Sequence, residues 1–535
     1  MAELSTKKIS PYVIDMIDFL RRHDEIHAES VSSAVVSEMS DLSREVGALY
    51  EKLRYAVDNK EEHSFRRYAV RRALRRVSLF SNDPNRLLDI LIADLVRGGY
   101  LKGGELGSKE MAEAKQSLTT FIDLQSRLRS SYDTATYYTY RKYLLDIVAG
   151  AIEDALYDNS REEAIVVMLA RIAETVIEGE ELLEQDEEKR KIIFYVAAWR
   201  SLFAADSALL RYKLWLIVCP QWDQMDEQGI ANAIAEFPKI LNRINYLIGH
   251  PLGASILPRL HDLSIAHTLL YDMVSKYGTG VEAVINDTEL FATRIRECIE
   301  DRYHRDLTRA RRRSLRAILY IFVTKSMLAF GVESLYIFVW KQSLNYVALV
   351  INLITHPMLL LFLTGGLHRP KARNTERAIL LTSAIAFGST ITPIVITKEK
   401  RGIVTDIALG LYFAFLGVSI IGIIGFLNAI QFHSVDIGIF LLFLLLVLYF
   451  GFRIRSSAYR MRFSSTKESF LRTLMELLLL PLISVGRWMS LRFENINIAV
   501  LVLDFFIEVP FRLLLRFLDI FTRLLERKRD EIYTP

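Results

Sequence analysis

The sequence predicts an all-α protein in which a helical cytoplasmic region is followed by a C-terminal multi-pass transmembrane helix bundle. Three observations carry that expectation. Apolar residues recur at spacings of three and four through the first 310 positions; long apolar runs begin just after Arg313; and charge divides between the two parts. From Arg311 onward the chain has 27 Lys and Arg against 14 Asp and Glu, whereas the residues before it have 40 against 49. Mixed charge with regular apolar spacing suits a solvated helical domain. Basic clusters between apolar runs suit the anionic headgroups of an inner leaflet better than nucleic acid, because the runs need an apolar surrounding.

At 535 residues the chain exceeds what one core requires. Two helical cytoplasmic regions, 1–104 and 105–310, are expected to meet at the glycine-rich turn near Gly104. The bundle then occupies 311–455, and basic, amphipathic helices at the membrane interface occupy 456–535.

Taken in order, Val13, Met16, Ile17 and Leu20, then Val46, Leu49, Tyr50 and Leu53, mark amphipathic helices between Pro11 and Asp58. Helix continues over Ser64 to Val77, and Asn82-Asp83-Pro84 supplies a capped start for Leu87 to Val96. After the glycine turn, periodic stretches run over Met111 to Asp158, Glu162 to Glu178 and Glu187 to Val218. Arg200, Asp206, Arg211 and Lys213 make Ile192 to Val218 a core helix, since each charge is costly to insert in a bilayer. Helices follow at Ile230 to Leu247 and Leu257 to Ser275. The last, from about Asp287, runs without a breaker through Arg311, Arg312 and Arg313 into the first apolar span.

Five segments approach the roughly 20 apolar residues that cross a bilayer: Leu315 to Trp340, Tyr346 to Thr364, Ala378 to Ile396, Ile403 to Ala429 and Val435 to Phe452. The basic clusters at Arg311 to Arg313, Arg369 to Arg377, Lys398 to Arg401 and Arg453 to Arg462 all belong on the cytoplasmic side. Five simple crossings violate that rule. Four crossings with a re-entrant or interfacial segment at Ala378 to Ile396 satisfy it, and Gly388 to Pro393 has the breaker chemistry for a re-entrant turn. Both termini are then cytoplasmic, and Met1 to Ser10 lacks the apolar core of a cleavable signal. Farther on, Phe470 to Val485 reads as a partly inserted helix, and the polar residues from Asp504 to Arg523 fall within about 120° of one interfacial helix.

Candidate functional residues follow from polarity in the wrong place. Lys325 and Glu333 lie inside an apolar run, where an unpaired charge costs roughly 2.5 kcal/mol or more. With His356 beside Asn352 and Pro357, and with Ser389 and Thr390, they could line a transport path; snorkelling ends, packing polars and a proline kink account for the same residues. Gly410, Ala414, Gly417 and Gly425 share one face and read as a helix-packing seam. Arg67, Arg71, Arg72, Arg75 and Arg76 cover one side of a helix and, like Arg311, Arg312 and Arg313, could meet anionic lipid or a partner. Glu51, Glu61 and Glu62 make a salt-bridged face the competing account of the first five.

Other echoes do not hold. His23 and His27 lack a third ligand and a correctly placed glutamate, so no metal is implied. His304-Arg305-Asp306 is followed by Arg311 where a kinase loop needs Asn. Lys102 to Lys109 lacks the spacing of a phosphate loop, and Cys219 and Cys298 form no ligand or disulfide pattern. The expected function is therefore a non-enzymatic membrane-anchored scaffold, with no cofactor and a protein partner on the cytoplasmic domain. The alternative is a transporter or channel, for which so few crossings would call for a homo-oligomer.

Overall fold

The computed structural model describes residues 9–29, 65–78, 82–98, 100–101, 106–157, 159–179, 185–220, 222–278, 281–340, 346–388, 393–395, 403–463 and 479–490. They are almost wholly helical. A helical body comprises α1 (Pro11–Glu29), α2 (Phe65–Val77), α3 (Pro84–Arg97), α4 (Ser108–Ser131), α5 (Thr134–Leu156), α6 (Ser160–Val176), α7 (Glu187–Phe203), α8 (Ser207–Val218), α9 (Glu227–Ile248), α10 (Pro251–Tyr277) and the short α11 (Val281–Asn286). The 53-residue α12 (Thr288–Trp340) starts in this body and leaves it. There follow α13 (Tyr346–Gly365), α14 (Ala372–Ala386), α15 (Ile403–Ala429), α16 (Ser434–Ala458) and α17, residues 479–490.

Helix starts are set by aspartates whose carboxylates accept the orphan amides of the first turn, each contributing roughly 1 kcal/mol. Asp83 takes the Asn85 N–H at 3.1 Å with Pro84 at the first helical position. Asp133 takes Ala135 and Thr136, Asp206 takes Leu209, and Asp226 takes Gly229. The stretch read as one helix from Glu187 to Val218 is two: Ala204 adopts the left-handed conformation at φ 48°, and Asp206 caps a new helix. The sequence signal lay in Asp206, which served as a charge against membrane insertion and not as a cap.

One hydrophobic core holds the body together and draws residues from both sides of Gly104, including Leu74, Leu91, Leu118 and Phe237. The expected division near that position therefore does not separate two cores. At its centre α5 is buried on every side from Leu144 to Glu153 and packs against α2, α4 and α8. Gly150 is required there, since a Cβ would lie 2.4 Å from the Tyr212 ring.

The segment Ala378 to Ile396 departs most from expectation. Ala378, Thr382, Ile385 and Ala386 of α14 are buried against α1, α10 and α12, and Phe387 meets Phe291 edge to face. Farther along, Ile394–Val395 (β2) pairs in parallel with Ile177–Glu178 (β1). The described parts of the segment, 378–388 and 393–395, are packed into the helical body and not among the apolar helices. Its buried face, Asn374, Thr375, Ala378, Thr382 and Ile385, follows the helical period, while Arg373, Glu376 and Arg377 lie exposed opposite.

Beyond the body, α12, α13 and α16 pack together, and α15 lies alongside through Leu416, Ile420, Ile423 and Leu427. Among the described residues two helices are long and apolar enough to cross a membrane: Leu409–Ala429 within α15 and Asp436–Ala458 within α16. Val350–Gly365 in α13 is apolar but shorter. Among the described residues the glycine face of α15 meets no neighbour, because nothing comes within 4 Å of a Cβ built at Gly410, Gly417 or Gly425. Close approach occurs instead at Gly451 of α16 against Leu360 and Leu363, and at Gly486 of α17 against the Leu445 backbone.

Candidate functional site

A polar construction lies where the apolar helices rejoin the body. Asn374, on the first turn of α14 and 1 % exposed, makes three hydrogen bonds there. Its Nδ2 donates to the Tyr303 hydroxyl at 2.6 Å and to the Met461 carbonyl at 2.8 Å, and its Oδ1 accepts the Phe463 amide at 2.9 Å. One side chain thus joins α12, α14 and the strap that follows α16. His261 Nε2, on α10, sits 3.0 Å from the Arg462 carbonyl of the same strap. Burial pushes the Tyr303 hydroxyl above its ordinary pKa, and Met461 and Phe463 lie in the core of the body.

Ionic contacts frame this clamp. Arg302 grips Asp272 of α10 with two nitrogens, and Arg305 reaches the same carboxylate at 3.9 Å. Burial raises the Asp306 carboxyl despite the opposing pull of Arg460 and Arg302. One turn farther, Arg311 donates to the Leu367 carbonyl at 3.1 Å, in the link that follows α13, and Ser314 meets Thr364 at 2.5 Å. Within the Arg311–Arg313 cluster, Arg311 is tied to the link after α13, and Arg312 is exposed.

The arginines of α2 serve the interior of the body. Arg67, 2 % exposed, lies 2.7 Å from Asp206 and 3.7 Å from Glu153. Arg71 and Arg211 share Asp146 at 3.0 Å each, Arg76 pairs with Asp94, and Arg72 reaches the Tyr100 hydroxyl at 3.4 Å. Only Arg75 of the five is exposed. These partners are distant in sequence, while the neighbouring Glu51, Glu61 and Glu62 lie outside the described residues. Lys213 extends the lattice, 2.9 Å from Asp154 and 3.0 Å from Glu163. Burial pulls its ammonium down, yet the two carboxylates hold it above its ordinary pKa; Asp146 is raised because burial outweighs Arg71 and Arg211. Such mutually neutralised charges fix helix positions, and removing one partner from a buried pair costs about 3–5 kcal/mol.

His356, fully buried on α13, connects to α16. Its Nε2 lies 3.0 Å from the Phe440 carbonyl, its Nδ1 lies 3.2 Å from that of Asn352, and the Phe440 ring packs edge to face at 4.7 Å. Lys325 and Glu333 fall on the helical backbone of α12 with side chains outside the described residues, and Ser389 and Thr390 lie outside them altogether. The helices expected around Val46 to Leu53 and from Asp504 onward, and the first part of the one expected over Phe470 to Val485, also lie outside the described residues. Among the described residues no three His, Cys, Asp or Glu side chains come together to hold a metal ion. Asn374 was not singled out from the sequence; a lone Asn in a basic stretch gives no local sign that residues 87 and 89 positions later will seek it.

Comparison with known protein families, with curated proteins and with solved structures finds no match to this chain.

Proposed function

We propose that this chain is a multi-pass membrane protein whose helical body is held on the cytoplasmic face as a non-enzymatic docking module for a protein partner. In this reading α12, α13, α15 and α16 cross the bilayer. The observation that carries it is the pairing of exits and returns. The chain leaves the body on α12 and comes back through α13 to α14, then leaves before α15 and comes back through α16 to the Met461–Phe463 strap. Two outward excursions of two helices each put Arg311–Arg313, Arg369–Arg377 and Arg453–Arg462 on one side, as the charge rule requires. Exposed apolar side chains on α15, among them Leu411, Val418, Ile421 and Phe426, suit lipid contact on a helix that is apolar all round. With the charges of its core mutually paired, the body offers a fixed surface for recognition. Polar groups in the bundle lend less support to a transport path, because His356 is buried between α13 and α16 with its Nε2 3.0 Å from the Phe440 carbonyl, as a helix-packing histidine would be.

Topology is tested with single cysteines in a chain whose Cys219 and Cys298 are replaced. Gln431→Cys should react with an impermeant maleimide on intact cells, and Lys371→Cys only after permeabilisation. Reaction of Lys371→Cys on intact cells overturns the topology. The partner is tested by placing a photo-crosslinking residue at exposed Tyr138 or Tyr246 of the full chain in native membranes. A discrete protein adduct is expected, and none at either position counts against docking.

A further inference from the structure

We infer that the outward face of α12 between Arg305 and Arg316 is a docking strip for the headgroups of anionic phospholipids; this rests on the membrane reading of α12. Arg305, Arg309, Arg312 and Arg316 are spaced four, three and four apart, within about 60° at 100° per residue, and all four are exposed. Tyr303, Leu307, Ala310, Ser314 and Ile321 occupy the opposite, buried face. One turn beyond Arg316 the outward face changes character: Leu319 is 64 % exposed, with Leu315 and Phe322 also outward at its flank. A helix face that passes within one turn from arginine to exposed leucine marks where an aqueous surrounding gives way to an apolar one. Nucleic acid offers no counterpart to the leucines.

Dimensions place each arginine. Arg305 to Arg316 spans roughly 16 Å at 1.5 Å per residue, whereas the headgroup layer on each side of the hydrocarbon is roughly 5–8 Å deep. Arg312 and Arg316 therefore stand among the headgroups, and Arg305 and Arg309 above them within about a screening length of 8–10 Å. Positions 305–316 carry six arginines and one carboxylate, Asp306, which feels Arg460 and Arg302 as well as Arg309 and Arg305 of the strip. Arg305 also reaches Asp272 at 3.9 Å, and positive charge remains in excess along this face. The link from α13 to α14 adds exposed Arg369 and Lys371, and the first turn of α14 adds Arg373, since Arg311 ties the start of the link at Leu367 to α12. Planar guanidinium groups bind phosphate oxygens in pairs, and each basic residue near an anionic surface favours it by about fivefold.

The full chain is incorporated into phosphatidylcholine nanodiscs with trace fluorescent phosphatidylserine or fluorescent phosphatidylcholine, and lipid contact is read by energy transfer from the protein. The wild-type chain should favour phosphatidylserine, and R312Q/R316Q should reduce that preference about tenfold. R312K/R316K should retain most of it, and R75Q, on the exposed side of α2, should leave it intact. An unchanged preference in R312Q/R316Q overturns the proposal, as does displacement of the labelled lipid by 10 mM inorganic phosphate, which would mean a site for the free anion. Should the wild type show no preference while staying in the membrane after carbonate washing, the strip alone is wrong. Extraction by carbonate removes the membrane reading as well.

Discussion

At the scale of single residues, buried polar groups set how the body responds to its surroundings. His267 of α10 is fully buried, with Nε2 2.9 Å from the Ile165 carbonyl and Nδ1 without a partner. Burial pulls its pKa from 6.5 to about 4, only partly opposed by the bond to Ile165. The folded ring is thus neutral at pH 7 and donates through Nε2. Between the folded and unfolded values the unfolded chain binds the extra proton, so stability is complete above about pH 6.5 and is lost as pH falls toward 4. At about 1.4 kcal/mol per unit the loss from pH 6.5 to 5 is about 2 kcal/mol. Thermal unfolding of the detergent-solubilised chain at those two pH values should show this loss, and His267→Gln should remove most of it. Equal pH dependence in the variant would exclude His267 as the source. Neither His267 nor Asn374 announces itself in the sequence, because what distinguishes each is a partner more than 70 positions away.

At the scale of elements, the periodic pattern located many of the helices, and both ends of α13 and α15 and the far end of α12 lie at the edges of the apolar runs. Two failures share a cause. Ala378 to Ile396 reads as an apolar run with a breaker, although the charges just ahead of it, Arg373, Glu376 and Arg377, share one exposed face of the same helix and leave Ala378, Thr382 and Ile385 turned to the body. The α15 glycines were judged by spacing alone, although a small-residue face becomes a seam only where a neighbour approaches. Substitution tests which contacts are tight. A Cβ at Gly486 would lie 2.1 Å from the Leu445 carbonyl oxygen, and a backbone atom cannot swing aside. At Gly451 the obstacle is the end of the Leu363 side chain at 2.6 Å, which can rotate, and at Gly410 the space is open. Gly486→Ala should cost about 2–3 kcal/mol, Gly451→Ala about 1, and Gly410→Ala nothing or a slight gain from helix propensity. Melting temperatures of the three purified variants give the order directly; Gly410→Ala falling below Gly486→Ala would reverse the assignment of the seams.

At the scale of the whole molecule, the question is whether body and bundle behave as one unit. The long α12, roughly 80 Å at 1.5 Å per residue, contributes Phe291, Ile295, Ile299 and Tyr303 to the core of the body and Leu307, Ala310 and Ile321 to the next cluster, shared with α13 and α16. A single helix can bend or fray between two cores; a second attachment prevents independent motion. Asn374 supplies it by holding the Met461–Phe463 strap to α12 and α14. Replacing it with leucine keeps the approximate volume but leaves the Tyr303 hydroxyl, the Met461 carbonyl and the Phe463 amide to find other partners in a buried place. At about 1–3 kcal/mol for each buried group left unsatisfied, the loss is comparable with the whole stability of a typical domain, about 5–15 kcal/mol. Asn374→Leu should therefore uncouple the two parts before it unfolds either. Calorimetry of the wild-type chain in detergent is expected to give one transition, which the variant resolves into two, and Tyr303→Phe, which removes one bond of the three, should lower the single transition without splitting it. A variant that still melts in one transition at the wild-type temperature would mean that α12 alone carries the coupling, and that the strap rests on the body without holding it.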